Sequence, residues 1–336
     1  MPVTIRDLAE KLHLSITTVS RALDGYSDVA EETRQRVILA AQKSGYQPSF
    51  AARQLRRKRT DTFGFILPTS SPQFSDPFYA RFLSGLCDEI ASQGLDLLVT
   101  SCPPHGEQEK SLYQRWVQSR RVDGLILNRT RIADWRVQYL IENKLPFVTL
   151  GKSEAEAPYP SIEVDDQGGF RQLVVHLANK GHRRIAFVGA PPELVIQSNR
   201  FTGYQQGLAE AGLPFDPNLV QIGDLSEAGG YRTAQLLLNL AQPPTAILGV
   251  NDITALGVMH AAKERGLSIG EQLAIAGYDG IQEAEYSDPP LTTIYQPTYE
   301  IARQLARMLV DLILGKPFLD QHIITRPKLI IRPSTG

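Results

Sequence analysis

Apolar residues recur at helical spacing from the start of this chain. Ile5, Leu8, Ala9 and Leu12 share one face of a short helix that stops at His13-Leu14. Ser15 opens a second helix in which Val19, Ala22 and Leu23 share a face. The opposite face of that helix carries Ile16, Thr17, Thr18, Ser20 and Arg21. These small, hydroxyl or basic groups suit a DNA groove better than a core. Two short helices, a tight turn and such a face predict a helix-turn-helix. A third helix is expected after Ser27-Asp28-Val29, which offers capping groups. Glu31 and Glu32 fall in its first turn, Val37, Ala40 and Ala41 on its inner face, and Gly45 at its end. Residues 1–46 thus read as one small helical domain, marginal alone.

Pro48 breaks the chain, and Ser49 can cap a further helix over 50–56 with Ala51, Ala52 and Leu55 on one side. A helix so short is mostly unfolded alone in water, so it is expected to form only against a partner. From Thr62 the pattern changes to buried apolar runs alternating with amphipathic stretches. Strands are predicted at 63–68, 95–100, 124–128, 147–151, 184–189, 245–251 and 273–279. Helices are predicted at 79–93, 107–118, 134–143, 167–180, 199–211, 229–240, 253–265 and 301–314. Strand–helix alternation of this kind predicts doubly wound α/β architecture with parallel sheets. The number of units is too large for one sheet, so two similar lobes are expected, with a break near 157–160. The expected lobes are 61–160 plus 292–325, and 161–291 plus 326–336. Residues 47–60 link them to the N-terminal domain.

Charge sharpens this division. The formal net charge is −1, but residues 1–60 carry +5 and the remainder −6. The surplus peaks at Arg53, Arg56, Arg57, Lys58 and Arg59, with no acid between Gln47 and Thr60. Directly after a helix-turn-helix, such a run is expected to contact phosphates. No apolar run approaches the ~18 residues of a membrane-spanning helix, and no signal-peptide pattern opens the chain. Cys87 and Cys102 form no metal spacing and suit reduced thiols. A cytoplasmic location, without membrane partners, is therefore expected.

Few catalytic signatures are found: a complete GxxxxGK[S/T] phosphate loop, HExxH and CxxC do not occur. No enzyme activity, metal or cofactor is expected. Polar residues at strand ends are more informative, because ligands in open α/β sheets lie outside the carboxyl ends of strands. Asn128 and Arg129, Lys152, Asn251 with Asp252, and Asp279 occupy such positions, and Arg200 follows the loop after the 184–189 strand. Phe74, Asp76 and Phe78 lie in the loop after the first strand. Carboxylates, amides and a guanidinium beside aromatic faces suit a polyhydroxylated ligand. Asp252 and Asp279 could equally cap the helices that follow them.

The segments VTIRDLAEKLHLSITTVSRALDG and ETRQRVILAAQKSGYQPSFAARQLRRKRTDTFGFILP closely resemble the LacI/GalR family of bacterial transcriptional regulators. RFTGYQQGL (200–208), VNDITALG (250–257), AGYDG (276–280) and PPLTTIYQP (289–297) extend the resemblance along the regulatory region. The resemblance implies a homodimer that places one recognition helix per subunit in the major groove of a near-palindromic operator. Ile16 and Thr17 then resemble base-reading positions and Arg21 a guanine-contacting arginine. Thr4, Ser15, Thr18 and Ser20 resemble phosphate or groove-wall contacts. The 48–56 helix resembles a hinge helix that pairs in the minor groove, with Leu55 as the intercalating leucine, Ala52 against the groove, and Arg56 in the basic run. The regulatory region resembles a periplasmic sugar-binding protein whose effector sits between the lobes. Arg200, Asn251 and Asp279 are its first implied ligands, then Asp76 and Phe74, then Gln296 and Lys152.

Departures from the family pattern shape the expectation. His13 stands where a turn glycine is usual, at a position requiring positive φ. Ser49 replaces an asparagine at the hinge start. Asp76-Pro77-Phe78 replaces an Asn-Pro-Phe loop, and Leu225 stands where many relatives place an aromatic ring. The added carboxylate argues against an anionic effector and for a neutral saccharide. The expected function is a repressor of a sugar-utilisation operon. The competing expectation is a solute-capturing binding protein without DNA regulation. No heptad pattern follows Ile331, so a coiled-coil tetramer is not expected.

Overall fold

The computed structural model describes residues 3–46, 59–69, 76–155, 157–316 and 322–336. It separates into two compact units, Met1–Thr60 and Asp61–Gly336. In the first, helices α1 (Ile5–Leu12), α2 (Ile16–Leu23) and α3 (Glu31–Ser44) enclose a small core of Leu8, Ala9, Val19, Ala22, Val29, Val37 and Ala41. All but Val29, which lies in the loop before α3, are positions that the 3.6-residue period selects. Thr4 and Asp7 form a reciprocal capping box at the start of α1: the Asp7 amide donates to the Thr4 hydroxyl, and the Asp7 carboxylate accepts the Thr4 amide at 2.8 Å. Those bonds hold the Asp7 carboxyl below its usual range, the Thr4 backbone bond first. His13 ends α1 with φ 55° and ψ 40°, and the Leu14 amide returns to the Ala9 carbonyl. The Ser27-Asp28-Val29 cap expected for α3 is not formed. Ala30 occupies that position without a side-chain cap, and Arg34 ties the preceding loop instead, donating to the carbonyls of Tyr26 and Val29. The expected hinge helix, with Ala52, Leu55 and Arg56, lies outside the described residues.

The second unit begins with β1 (Thr62–Pro68), α4 (Pro77–Ser92), β2 (Asp96–Cys102), α5 (Glu107–Gln118), β3 (Gly124–Leu127), α6 (Trp135–Glu142), β4 (Phe147–Leu150) and β5 (Ser161–Val164). It continues through α7 (Asp166–Asn179), β6 (Ile185–Gly189), α8 (Val195–Glu210), β7 (Val220–Ile222), α9 (Glu227–Leu238), β8 (Ala246–Gly249), α10 (Asp252–Glu264), β9 (Ala274–Asp279), α11 (Gln282–Tyr286) and β10 (Thr292–Tyr295). It closes with α12 (Thr298–Ile313), β11 (His322–Thr325) and β12 (Lys328–Ile330). Among the described residues the strands form two six-stranded sheets, ordered β2-β1-β3-β4-β5-β11 and β7-β6-β8-β9-β10-β12. Every pairing is parallel except β10 with β12. Strand order reverses at β1/β3 and again at β6/β8, and crevices for ligands open at such switch points.

The lobes divide differently from the sequence expectation. Residues 161–164 join the first sheet, not the second, and 292–295 join the second, not the first. Four strands, β5, β7, β11 and β12, are only three or four residues long and broken by polar groups, so they leave no apolar run to read. Alternation along β1 sets the layers of the first lobe. Phe63, Phe65 and Leu67 face Tyr79, Phe82, Leu86 and Leu305, while Ile66 faces Leu112, Tyr113 and Trp116. Gly64 lets the sheet reach α5; a β-carbon there would stand 2.6 Å from the Trp116 ring. The buried Glu89 carboxylate joins α4 to α12 by accepting bonds of 2.8–3.1 Å from Arg303 and Arg307. The Arg307 bond in particular holds that carboxyl below its usual range. In the second lobe α7 and α8 cover one face around Phe170, Phe187 and Tyr204, and α9 and α10 cover the other around Ile247, Val258 and Ile275.

Candidate functional site

The carboxyl ends of both parallel sheets converge on one cavity. Its lining includes Asp76, Phe78, Asn128, Arg200, Asn251, Asp279 and Gln296 among the residues expected from sequence. Each arrives by a local rule. Asp76 caps α4 through the Phe78 amide, with Pro77 at the first helical position. Asn251 caps α10, its side-chain oxygen accepting the Thr254 amide at 3.0 Å. Asp279 ends β9 at φ 117°, a conformation that strains any side-chain-bearing residue. Gln296 Nε2 donates to it at 2.6 Å. Asp252 and Asp279 are not helix caps: Asn251 occupies that position before α10 and Ile281 before α11.

Arg200 organises the second-lobe side. Its Nε donates to Asp166 at 3.0 Å, its Nη1 to the Val250 carbonyl at 2.6 Å, and its Nη2 stands 3.6 Å from Asp279. The guanidinium lies 3.7 Å over the Tyr278 ring. Burial opposes the charge, but Asp166 and Asp279 hold this arginine protonated above its usual range. Burial also pushes the Asp279 carboxyl well up, against the pull of Arg200; Asp252, Asp76 and Asp166 add repulsion. Asp76 is raised as well, chiefly by burial, with Arg129 opposing. Behind the cavity Asp252 is fully buried. It accepts the Thr293 hydroxyl at 2.6 Å and the Ile281 amide at 2.9 Å, and burial lifts its carboxyl to about 7.

The first-lobe side rests on a buried ion cluster. Asp134 and Glu109 pair with Arg136 and Arg131, and Arg136 donates to the Arg129 carbonyl at 3.0 Å. That bond helps fix Arg129 at φ 47°. Arg129 in turn reaches the Pro68 carbonyl and stands 3.6 Å from Asp76. Asn128 accepts the Arg129 amide, yet its buried Nδ2 has no partner among the described residues.

Three expected positions fall elsewhere. Lys152 is exposed and does not line the cavity, although its neighbour Gly151 does. Phe74 lies outside the described residues. Ser20 does not share the exposed face of α2: it is 8% exposed, turned against the core of the helical unit. Thr17 is exposed and Ile16 is 44% exposed on that face, while Thr18 and Arg21 are half-buried. Thr4 and Ser15 are exposed helix caps.

Other lining residues were missed. Glu163 and Val164 end β5, a strand too polar to recognise, and Asp166 opens α7 directly after it. Val195, Ile196 and Asn199 belong to α8, which starts four residues before the expected helix. Glu163 is held at 2.8 Å by His322 of β11, which also meets Ser161 at 2.9 Å. The cavity opens toward a wider one of about 840 Å³ that shares Asp76, Tyr79, Arg129 and Leu225. At its rim the lobes touch. Ile132 donates to the Glu193 carbonyl at 2.9 Å, Val195 to the Thr130 carbonyl at 3.0 Å, and His105 meets Glu193 at 3.0 Å. Among the described residues no cluster of metal-ligating groups occurs, and no helix is long and apolar enough to cross a membrane.

Comparison with known proteins places these features in context. Residues 4–49 match the model for bacterial regulatory proteins of the lacI family, and residues 174–335 match that for a periplasmic binding protein-like domain. The HTH-type transcriptional regulator AglR of Rhizobium meliloti (strain 1021) is 34% identical over 340 residues, covering 100% of this chain and 95% of AglR. The structure of a lac repressor dimer bound to operator and the anti-inducer ONPF aligns with a TM-score of 0.85 at 28% identity, covering 100% of this chain and 99% of that one. The complex of the transcriptional regulator CelR with cellobiose aligns with a TM-score of 0.77 at 29% identity, covering 99% of both chains.

Proposed function

The chain belongs to the lacI family of bacterial regulatory proteins, and from that premise we propose that this DNA-binding transcriptional regulator represses a sugar-utilisation operon and is controlled by a neutral saccharide bound between its lobes. It acts as a homodimer on a near-palindromic operator, in the cytoplasm where the chromosome lies. The convergence of Asp76, Asn128, Asn251, Asp279 and Gln296 on one cavity at the strand ends carries the ligand half of this reading. Four carboxylates, Asp76, Glu163, Asp166 and Asp279, outnumber the guanidiniums of Arg129 and Arg200, which are themselves engaged. That balance disfavours an anion. Hydroxyls can donate to the carboxylates and accept from Asn128, while Phe78, Val195, Ile196 and Leu225 offer apolar faces to C–H bonds. Leu225 contacts a ring without stacking on it. The cellobiose complex of CelR supports a saccharide here.

On the DNA side, Ile16, Thr17 and Arg21 read bases in the major groove while Thr4, Ser15 and Thr18 contact backbone or groove wall. Saccharide between the lobes changes their relative angle and so the operator affinity, a coupling between two sites. A thermal-shift screen against neutral mono- and disaccharides tests the ligand class, because a ligand of the folded state raises the melting temperature. A rise with anionic sugars alone would reject it. Band-shift assays on DNA from upstream of the protein's own gene test the regulation, with and without the sugars that bind.

A further inference from the structure

The helical unit holds an ion pair that its core does not need. Arg21, in the last turn of α2, presents the Nε–Nη2 side of its guanidinium to Asp28 in the loop before α3. Nε donates to Asp28 Oδ1 at 3.2 Å, and Nη2 pairs closely with Oδ2. The guanidinium carbon also lies 4.7 Å from the centre of the Tyr26 ring. The loop that supplies both partners is anchored. Gly25 makes its turn at φ 75°, the Tyr26 amide donates to the Arg21 carbonyl, Val29 is buried, and Arg34 binds the Tyr26 carbonyl at 2.7 Å.

At so exposed a position, 41% for Arg21 and 56% for Asp28, an ion pair adds little to stability. Its geometry has another consequence. A guanidinium has two bidentate edges, and Asp28 occupies only the side edge. Nη1 and the outer hydrogen of Nη2 remain, forming the end-on fork that matches O6 and N7 of guanine. Asp28 fixes the plane from the side and Tyr26 covers one face, so a long, flexible side chain is ordered before it meets DNA. Asp28 also sets a negative charge where phosphates approach, which weakens binding to every sequence.

We propose that Asp28, with Tyr26, is a positioning residue for base recognition: it holds Arg21 end-on toward guanine, gaining discrimination at one base pair at the expense of non-specific affinity. This rests on the reading of Arg21 as a base contact. Asp28→Asn is then expected to move two quantities in opposite directions, whereas a purely structural role would weaken both.

The test uses the full chain. Duplexes are selected from a randomised library by the wild-type protein, and affinities are read by fluorescence anisotropy for the selected duplex, each single-base-pair variant and a scrambled duplex. Arg21→Ala identifies its base pair as the position where discrimination collapses, by about tenfold or more. Asp28→Asn is expected to reduce discrimination at that base pair alone by about threefold or more. It is expected to bind the scrambled duplex about twofold more tightly. Asp28→Glu, which keeps the carboxylate, is expected to restore part of the discrimination, and thermal melts of each variant verify folding. If no base pair responds to Arg21→Ala, the base-contact reading and the proposal fall together. If one does, and folded Asp28→Asn leaves its discrimination unchanged or weakens all sequences alike, the positioning role alone is overturned. Should Asp28→Asn not fold, Asp28→Glu decides: full loss of discrimination in a folded Asp28→Glu protein contradicts the proposal, and retention supports it.

Discussion

Asp252 makes the second lobe sensitive to pH in a way that one substitution isolates. It is fully buried beneath the β9 end that carries Asp279, accepting bonds from Thr293 and the Ile281 amide. Burial lifts its carboxyl from 3.8 to about 7. The folded state therefore keeps this proton at pH values where the unfolded chain has released it. The resulting stability is complete below pH 3.8 and lost as pH rises through about 7. Fully developed, the difference is about 4 kcal/mol; between pH 5 and pH 8 it is roughly 2–3 kcal/mol. Asp252→Asn supplies a permanently neutral group of the same shape, whose oxygen can accept the Ile281 amide while Thr293 turns its hydroxyl to accept. Urea unfolding of both proteins at half-unit pH intervals gives the difference profile. The raised carboxyls of half-buried Asp76 and buried Asp279 act with the same sign, and His176 and His182, lowered by burial, act with the opposite sign. These groups are common to both proteins and largely cancel. The wild type is expected to lose roughly 2–3 kcal/mol relative to the variant from pH 5 to pH 8. A flat difference profile would show that Asp252 is ionised throughout and refute the reasoning.

Arg200→Ala strands Asp166 and Asp279 without their cation; it is expected to cost about 3–5 kcal/mol in urea unfolding and to abolish any sugar-induced thermal shift. Asn128→Ala removes the acceptor of the Arg129 amide and a donor that no described residue uses, so it is expected to cost about 1–3 kcal/mol in urea unfolding while calorimetry shows saccharide affinity falling roughly 3–10-fold. His13→Gly relieves a positive-φ side chain and is expected to raise the stability of the helical unit by about 0.5–1 kcal/mol, read from its thermal melt.

The legibility of this chain follows the strength of its periodic signals. The three helices of the first unit were readable because each buries two apolar residues at helical spacing. Long strands such as β1 and β9 were readable as unbroken apolar runs. Glu163 and Asp166 were not found, since β5 is four residues long and carries Glu163 itself. The α8 start was missed because VIQSN has no helix cap: Leu194 stands there without a side-chain bond. Ser20 shows the opposite failure, for a small polar residue at a core-facing position reads as surface by chemistry alone. The Arg21–Asp28 pair joins residues seven apart across a loop. No local pattern encodes it, and only the fold of that loop brings the groups together.

The central claim is that the cavity governs the grip on DNA, and one titration tests it directly. The full-length protein is titrated onto a fluorescent duplex from upstream of its own gene, without sugar and with a saccharide that raises its melting temperature. A coupling of about 1–3 kcal/mol predicts a change in DNA affinity of roughly 5–150-fold when the cavity is filled. Saturating saccharide that stabilises the protein yet leaves the DNA affinity unchanged would contradict the account.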